Sequence, residues 1–192
     1  MMKMNIPRFK VILLGNSSVG KTSIVESYTG QFVTLEHCPT VGTGFFPAQV
    51  EIKNRRLIFD IWDTAGQEKY RSLVPQYKTG SHGALIVFDV SNKESFESLP
   101  TWLEMVKDES PNYVTFLVGN KIDIEEDRTI PEEMIKEFAT KNDLRFFECS
   151  ALTGEGVSEI FMKLFTEIFD KNSTAVPSET IKTLEKKEGG CC

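Results

Sequence analysis

Histidine is nearly absent from this chain of 192 residues. The two present, His37 and His82, are too few and too unpartnered to build a metal site or a catalytic triad, and both are expected in loops. Cysteine is sparse as well. Cys38, Cys149, Cys191 and Cys192 contain no C-x-x-C pair, so neither a zinc site nor a structural disulfide is expected. Cys149, at the end of Arg145-Phe146-Phe147-Glu148, is expected to be a small buried residue. Long apolar runs are missing. Val11–Leu14, Ala84–Phe88 and Val114–Val118 are far too short to span a bilayer, and Met1–Lys10 lacks the apolar centre of a secretory signal, so a cytosolic protein is expected. Nor is there a cationic excess: the net charge of −6 disfavours nucleic acid as the main partner, because binding a polyanion depends on clustered cations. A small phosphate ligand held by a loop remains compatible. No internal repeat is present.

What is there suits one globular core: 40% of residues are hydrophobic and 26% charged. The stretch that organises the rest is Gly15-Asn16-Ser17-Ser18-Val19-Gly20-Lys21-Thr22, between the apolar run Phe9–Leu14 and Ser23-Ile24-Val25-Glu26. It reads as strand, glycine-bracketed turn and helix start, in the pattern G-x-x-x-x-G-K-[ST]. Such a turn points successive backbone N–H groups into one concavity around a diphosphate, and the helix N-terminus adds its positive end. Gly15 and Gly20 are expected to let the backbone approach the phosphates. Lys21 supplies a point charge, and the Thr22 hydroxyl is placed to ligate Mg²⁺. A strand-to-helix turn that merely contains glycines is the plain alternative.

Along the chain, a short helix over Thr22–Thr29 should stop at Gly30, and Gln31–Gly44 should be a mobile loop. Phe45–Lys53 and Arg56–Asp63, either side of Lys53-Asn54-Arg55, read as an antiparallel hairpin. An irregular helix is expected over Tyr70–Lys78, and buried strands over Ala84–Val90 and Tyr113–Gly119. Glu94–Asp108 carries Phe96, Leu99, Leu103 and Val106 at helical spacing, with Pro100 bending its start. A helix beginning near Pro131 presents Met134, Ile135, Phe138 and Ala139; Leu144–Cys149 is a last strand, and Val157, Ile160, Phe161, Leu164, Phe165 and Ile168 mark a last helix. Strands alternating with helices predict one doubly wound α/β domain.

Two more sets fall just after strands, on the edge where open α/β sheets bind ligands. In Asp63-Thr64-Ala65-Gly66-Gln67, Asp63 can orient a magnesium shell, Gly66 can offer an N–H to a terminal phosphate and Gln67 can position a water. Hydrolysis of a phosphoanhydride needs mainly alignment and charge stabilisation, so an orienting amide suffices without a strong base. In Asn120-Lys121-x-Asp123, the carboxylate of Asp123 can accept both the N1–H and the exocyclic amine of guanine, whereas adenine would leave it unpaired. GTP over ATP is therefore expected, with a polar turn after a strand as the plain alternative.

Gly15–Thr22, Trp62-Asp63-Thr64-Ala65-Gly66-Gln67-Glu68, Asn120-Lys121-Ile122-Asp123 and Ser150-Ala151-Leu152, in this order, resemble the Ras superfamily of small GTPases over about Phe9 to Phe169. Trp62–Glu68, Tyr70-Arg71-Ser72-Leu73 and the C-terminal Cys-Cys are similar to its Rab branch; Gly30-Gln31-Phe32 and Tyr70–Tyr77 are similar to the endosomal subgroup. The resemblance implies a three-layer P-loop NTPase fold over residues 1–170, with a six-stranded, mostly parallel sheet, one antiparallel strand and about five helices. It implies a monomeric GTP-hydrolysing switch in membrane traffic, slow without an activating protein. By resemblance, GTP or GDP is held by Gly15, Ser17, Ser18, Val19, Gly20, Lys21, Thr22, Ser23, Phe32, Thr40, Gly66, Asn120, Lys121, Asp123, Ser150, Ala151 and Leu152. Mg²⁺ is held by Thr22, Thr40 and Asp63, and Gln67 is catalytic. Loss of the γ-phosphate would release Gln31–Gly44 and Thr64–Lys78 from order. Phe45, Trp62 and Tyr77 match the aromatic triad that meets effectors, core packing being the other reading for Phe45 and Trp62. An exchange factor, an activating protein, a GDP-dissociation inhibitor and the prenylation machinery are the other implied partners.

Some positions depart from the family pattern. Ser17 and Ser18 stand where many relatives have glycine, Phe32 lies one position from the aromatic that stacks on guanine, and Leu152 replaces a lysine. Ser17 would favour a nucleotide-binding module that hardly turns over; a metabolic kinase would need an arginine-rich lid that the sequence lacks. Residues 171–192, polar and ending Gly189-Gly190-Cys191-Cys192, read as a disordered tail. Its adjacent terminal cysteines, Cys191 and Cys192, resemble Rab substrates for double geranylgeranylation, a lipid anchor to the cytosolic face of endomembranes.

Overall fold

β1 (Arg8–Leu14) sits inside the sheet because its side chains are buried on both faces from Val11 to Leu14. The computed structural model describes residues 6–30, 43–64, 74–107 and 110–173. Six strands lie in the order β2-β3-β1-β4-β5-β6, with β2 (Thr43–Ile52), β3 (Arg55–Thr64), β4 (Gly83–Asp89), β5 (Val114–Asn120) and β6 (Arg145–Cys149). All neighbours run parallel except β2 and β3, which pair antiparallel. The expected mostly parallel sheet with one antiparallel strand is therefore present.

Strand alternation sorts the core into two layers. Val11, Leu13, Leu85, Val87, Phe116 and Val118 pack on one face with α1 (Lys21–Thr29) and α6 (Val157–Asn172). Ile12, Leu14, Ile86, Phe88 and Leu117 pack on the other with α3 (Lys93–Glu97), α4 (Leu99–Glu104) and α5 (Glu132–Lys141). A strand covered on both faces needs apolar residues at every position, which is why β4 and β5 read as unbroken runs. In α6 every residue expected on the apolar face is buried, and Phe165 stacks on Phe59 with ring centroids 3.9 Å apart.

Several local details differ from the sequence reading. The hairpin turn has two residues, Lys53 and Asn54, with φ of 51° and 61°. Positive φ at both central positions is the type I′ signature that matches strand twist, and it frees Arg55 to pair with Ile52. The helix expected over Glu94–Asp108 is two short ones, α3 and α4, meeting at Ser98. Pro100 in the first turn of α4 lacks the N–H a continuous helix would need. Trp102, 1% exposed, anchors this segment and was not among the expected core positions. In α5, Met134 is 46% exposed, so the buried face narrows to Ile135 and Ala139 with Phe138 beside them. α2 (Val74–Lys78) is the described part of the irregular helix. Among the described residues no helix is long and apolar enough to cross a membrane.

Candidate functional site

The carboxyl ends of β1, β3, β4, β5 and β6 converge on one edge of the sheet, where their register places Leu13 beside Asp63, Asp89 beside Asn120, and Asn120 beside Cys149. The loop from Gly15 to Gly20 leaves β1 here and feeds directly into α1. Gly15 has φ 144° and a Cβ on it would lie 2.1 Å from the Val87 carbonyl oxygen; Gly20 has φ 92° and its Cβ would lie 2.2 Å from Asn120 Nδ2. The two glycines are thus required by protein packed behind the loop, in addition to the ligand approach expected from sequence. Ser18 is exposed at a left-handed φ of 63°, Ser17 is half-buried, and the Val19 side chain is buried in the core, leaving only its main chain for a ligand.

α1 starts at Lys21 with no side-chain cap and no acidic residue in its first turn, which also holds Thr22 and Ser23. An uncapped, positively polarised helix start is an anion site. The Lys21 side chain folds back over the loop, donating to the Gly15 carbonyl at 2.9 Å and the Asn16 carbonyl at 2.7 Å. Burial lowers its ammonium pKa to about 8, partly opposed by the charge of Asp63. Thr22 Oγ1 donates to Asp63 Oδ2 at 2.6 Å, and Asp63 is 1% exposed. Thr64 ties the end of β3 to β1 by donating its hydroxyl to the Leu13 carbonyl at 2.5 Å.

Opposite this loop, Asn120 is 1% exposed and ties the end of β5 to two other segments. Its amide donates to the Val19 carbonyl at 2.9 Å, and its oxygen accepts from the Ala151 N–H at 3.0 Å and from Cys149 Sγ at 3.6 Å. Lys121, at φ 72°, places Nζ 2.6 Å from Asp89 Oδ2. Asp89 is itself fixed by the Ser91 N–H and hydroxyl, at 2.9 and 2.7 Å. Asp123 is exposed at the rim, and its Oδ1 accepts from the fully buried Ser150 hydroxyl at 2.5 Å, leaving the carboxylate outward-facing but oriented. Ala151 is buried, and Leu152 is 53% exposed. Cys149 is fully buried as expected; burial, with Glu148 and Asp123 adding, pushes its thiol up to about 12.

Phe45 and Trp62 face each other across β2 and β3, edge to face with ring centroids 5.6 Å apart. Phe45 is 49% exposed, so it is not a core residue, while Trp62 is half-buried with Lys10 Nζ 4.5 Å from its ring centroid. Tyr77 is half-buried in α2. Phe32, Thr40, Gly66, Gln67, Cys191 and Cys192 lie outside the described residues, as do Gln31–Gly42 and Ala65–Leu73. Sequence reasoning missed Asp89, Ser98 and Trp102, and took Asn16 only as a spacer. A buried indole needs an acceptor for its N–H, and that was the available signal for Trp102. Among the described residues no group of three or more His, Cys, Asp or Glu could hold a metal ion.

Comparison with known proteins agrees with this geometry. Residues 10–170 match the Ras family. The chain is 38% identical to "Ras-related protein Rab11D" of Nicotiana tabacum, over 84% of this chain and 73% of that protein. It is 39% identical to "Ras-related protein RABA4b" of Arabidopsis thaliana over the same shares. It is 34% identical to "GTP-binding protein YPT1" of Saccharomyces cerevisiae over 96% of each. The chain therefore belongs to the Ras family and, within it, is a Rab-type small GTPase.

Proposed function

We propose that this GTPase is a GTP-dependent switch in vesicle and membrane traffic, working on the cytosolic face of endomembranes, and that the residues at the sheet edge divide its chemistry among them. What supports this reading most is the uncapped start of α1 beside a buried lysine and a buried carboxylate. Lys21 would neutralise the β- and γ-phosphates, regaining in their field the charge that burial disfavours. Thr22 and Asp63 offer a hydroxyl and a carboxylate, the hard oxygens Mg²⁺ takes, and Thr40 would complete the protein's share of its shell. The ion held there would supply positive charge beside the phosphates, offsetting the negative charge that develops as the anhydride is cleaved.

Asp123, oriented by Ser150, would accept the two adjacent donors of guanine, while Lys121 and Leu152 would pack about the base. Phe32 would stack at its open side. Gly66 would donate its N–H to the γ-phosphate and Gln67 would orient the attacking water, so that hydrolysis releases both switch segments. Phe45, Trp62 and Tyr77 would be read by effectors in the GTP state, with an exchange factor and an activating protein setting the cycle. Cys191 and Cys192 would carry prenyl groups, and a GDP-dissociation inhibitor would shuttle the lipidated form.

Single-turnover hydrolysis tests the assignment. The parent should turn over at about 10⁻⁴ to 10⁻³ per second unaided, with a large acceleration by a partner supplying charge. Gln67→Leu should slow the unaided step while leaving GTP affinity nearly intact. Hydrolysis at the parental rate in that variant would remove Gln67 from the water-positioning role.

A further inference from the structure

Ser95, Ser98 and Trp102 fall at i, i+3 and i+7 across α3 and α4, a polar stripe on a segment that otherwise buries Phe96, Leu99 and Val106. Each member of the stripe bonds to the carboxyl edge. Ser95 Oγ accepts from the Asp89 N–H at 3.0 Å, behind the carboxylate that holds Lys121. Ser98 and Trp102 both reach Asn16, the second residue of the phosphate loop. Asn16 Nδ2 donates to Ser98 Oγ at 3.0 Å, and Asn16 Oδ1 accepts from Trp102 Nε1 at 2.8 Å. The Asn16 side chain is therefore gripped at both ends, while its main-chain carbonyl receives Lys21 Nζ.

We propose that Asn16 is a positioning residue for nucleotide phosphates, locked by Ser98 and Trp102. This rests on the reading of Gly15–Thr22 as the phosphate loop. An amide held at both ends cannot rotate, so the peptide it hangs from keeps its carbonyl aimed at Lys21. Lys21 is thereby kept over the loop and the N–H groups that follow stay arrayed for a diphosphate. The helix also has an apolar attachment, since Leu99 and Trp102, with Val106 just beyond α4, are buried in one cluster with Ile12, Leu14, Ala84, Ile86 and Phe88. The break at Ser98 sets the geometry: with α3 ending and α4 beginning there, a hydroxyl and an indole four residues on meet one amide.

The test is the release rate of a fluorescent GDP analogue from the full chain with Mg²⁺, together with competition by GMP, which lacks the β-phosphate. Trp102→Phe, which keeps the ring and removes the N–H, should speed GDP release about tenfold, the equivalent of one lost hydrogen bond, and Asn16→Ala, which loses the bonds to both Trp102 and Ser98, should speed it at least as much. The double variant should release no faster than Asn16→Ala alone, because both act through one contact. Asn16→Asp still accepts from the indole but can accept from Ser98 only if that hydroxyl leaves the Glu94 carbonyl, so its release should fall between the parent and Asn16→Ala. GMP affinity should change by less than about twofold in all of them, since the lost positioning concerns the β-phosphate. If Trp102→Phe does not fold, Ser98→Ala and Asn16→Ala decide. Parental release from Asn16→Ala, or equal weakening of GDP and GMP, overturns the proposal while leaving the nucleotide site standing. A parent that binds no GDP overturns the site reading itself.

Discussion

Cys149 shows how burial turns a reactive residue type into an inert one. Its thiol is fully buried at the end of β6, and the charge it would carry on ionising is disfavoured by lost solvation and by Glu148 and Asp123. The unfolded thiol titrates near the ordinary value of 9.0 and the folded one near about 12. Between those values the folded chain keeps a proton that the unfolded chain has lost. This contribution to stability is therefore complete below pH 9 and disappears as pH rises toward 12. Denaturant titrations of the parent and Cys149→Ala should accordingly converge over that window, with the parent losing more stability. Parallel curves would mean that the thiol is not shielded. Native Cys149 should also resist maleimide at pH 8 until the chain is unfolded. At this same scale the sequence was least informative about side chains whose partners come from distant segments. Nothing local to Asn16 announces Trp102, and nothing local to Lys121 announces Asp89; only the sheet order brings them together.

At the scale of elements, periodicity was a good guide wherever one face is buried against one layer. The apolar positions expected in the last helix are those α6 buries, and Phe169 joins them. Replacing Phe165 with Ala should cost about 3–5 kcal/mol, because its ring stacks on Phe59 and meets Tyr28 and Phe161, leaving a cavity that several rigid rings cannot fill. Urea unfolding with nucleotide and Mg²⁺ fixed measures this, as bound ligand raises apparent stability by mass action. A loss under about 1 kcal/mol would mean the layer repacks freely. Boundaries were harder to read where backbone chemistry overrides the apolar pattern. Pro100 splits one helical period into α3 and α4, and the left-handed pair Lys53-Asn54 shortens the turn that side-chain alternation had made three residues long. The glycines of the phosphate loop were correctly singled out but only partly explained. Their packing against Val87 and Asn120 depends on strands far away in sequence.

For the whole molecule, the proposed lipid anchor has to be weighed against the other ways of attaching a chain to a bilayer, and no described helix is long and apolar enough to cross one. Residues 171–192 carry Lys171, Lys182, Lys186 and Lys187 against Glu179, Glu185 and Glu188. Each basic residue near anionic lipid is worth only about 1 kcal/mol, so so small an excess cannot hold the protein. One lipid chain gives marginal, reversible binding and two give a stable anchor. Replacing both Cys191 and Cys192 with serine should therefore move the protein wholly into the soluble fraction of eukaryotic cells, and replacing one should leave it weakly attached. Pelleting of the double variant at the parental level would place the anchor elsewhere. The central claim, that this sheet edge holds a guanine nucleotide through the phosphate loop and Asp123, is tested most directly by the nucleotide the gently purified protein releases on denaturation. Close to one equivalent of GDP or GTP is the expected result, and adenine nucleotide, or none, would contradict it.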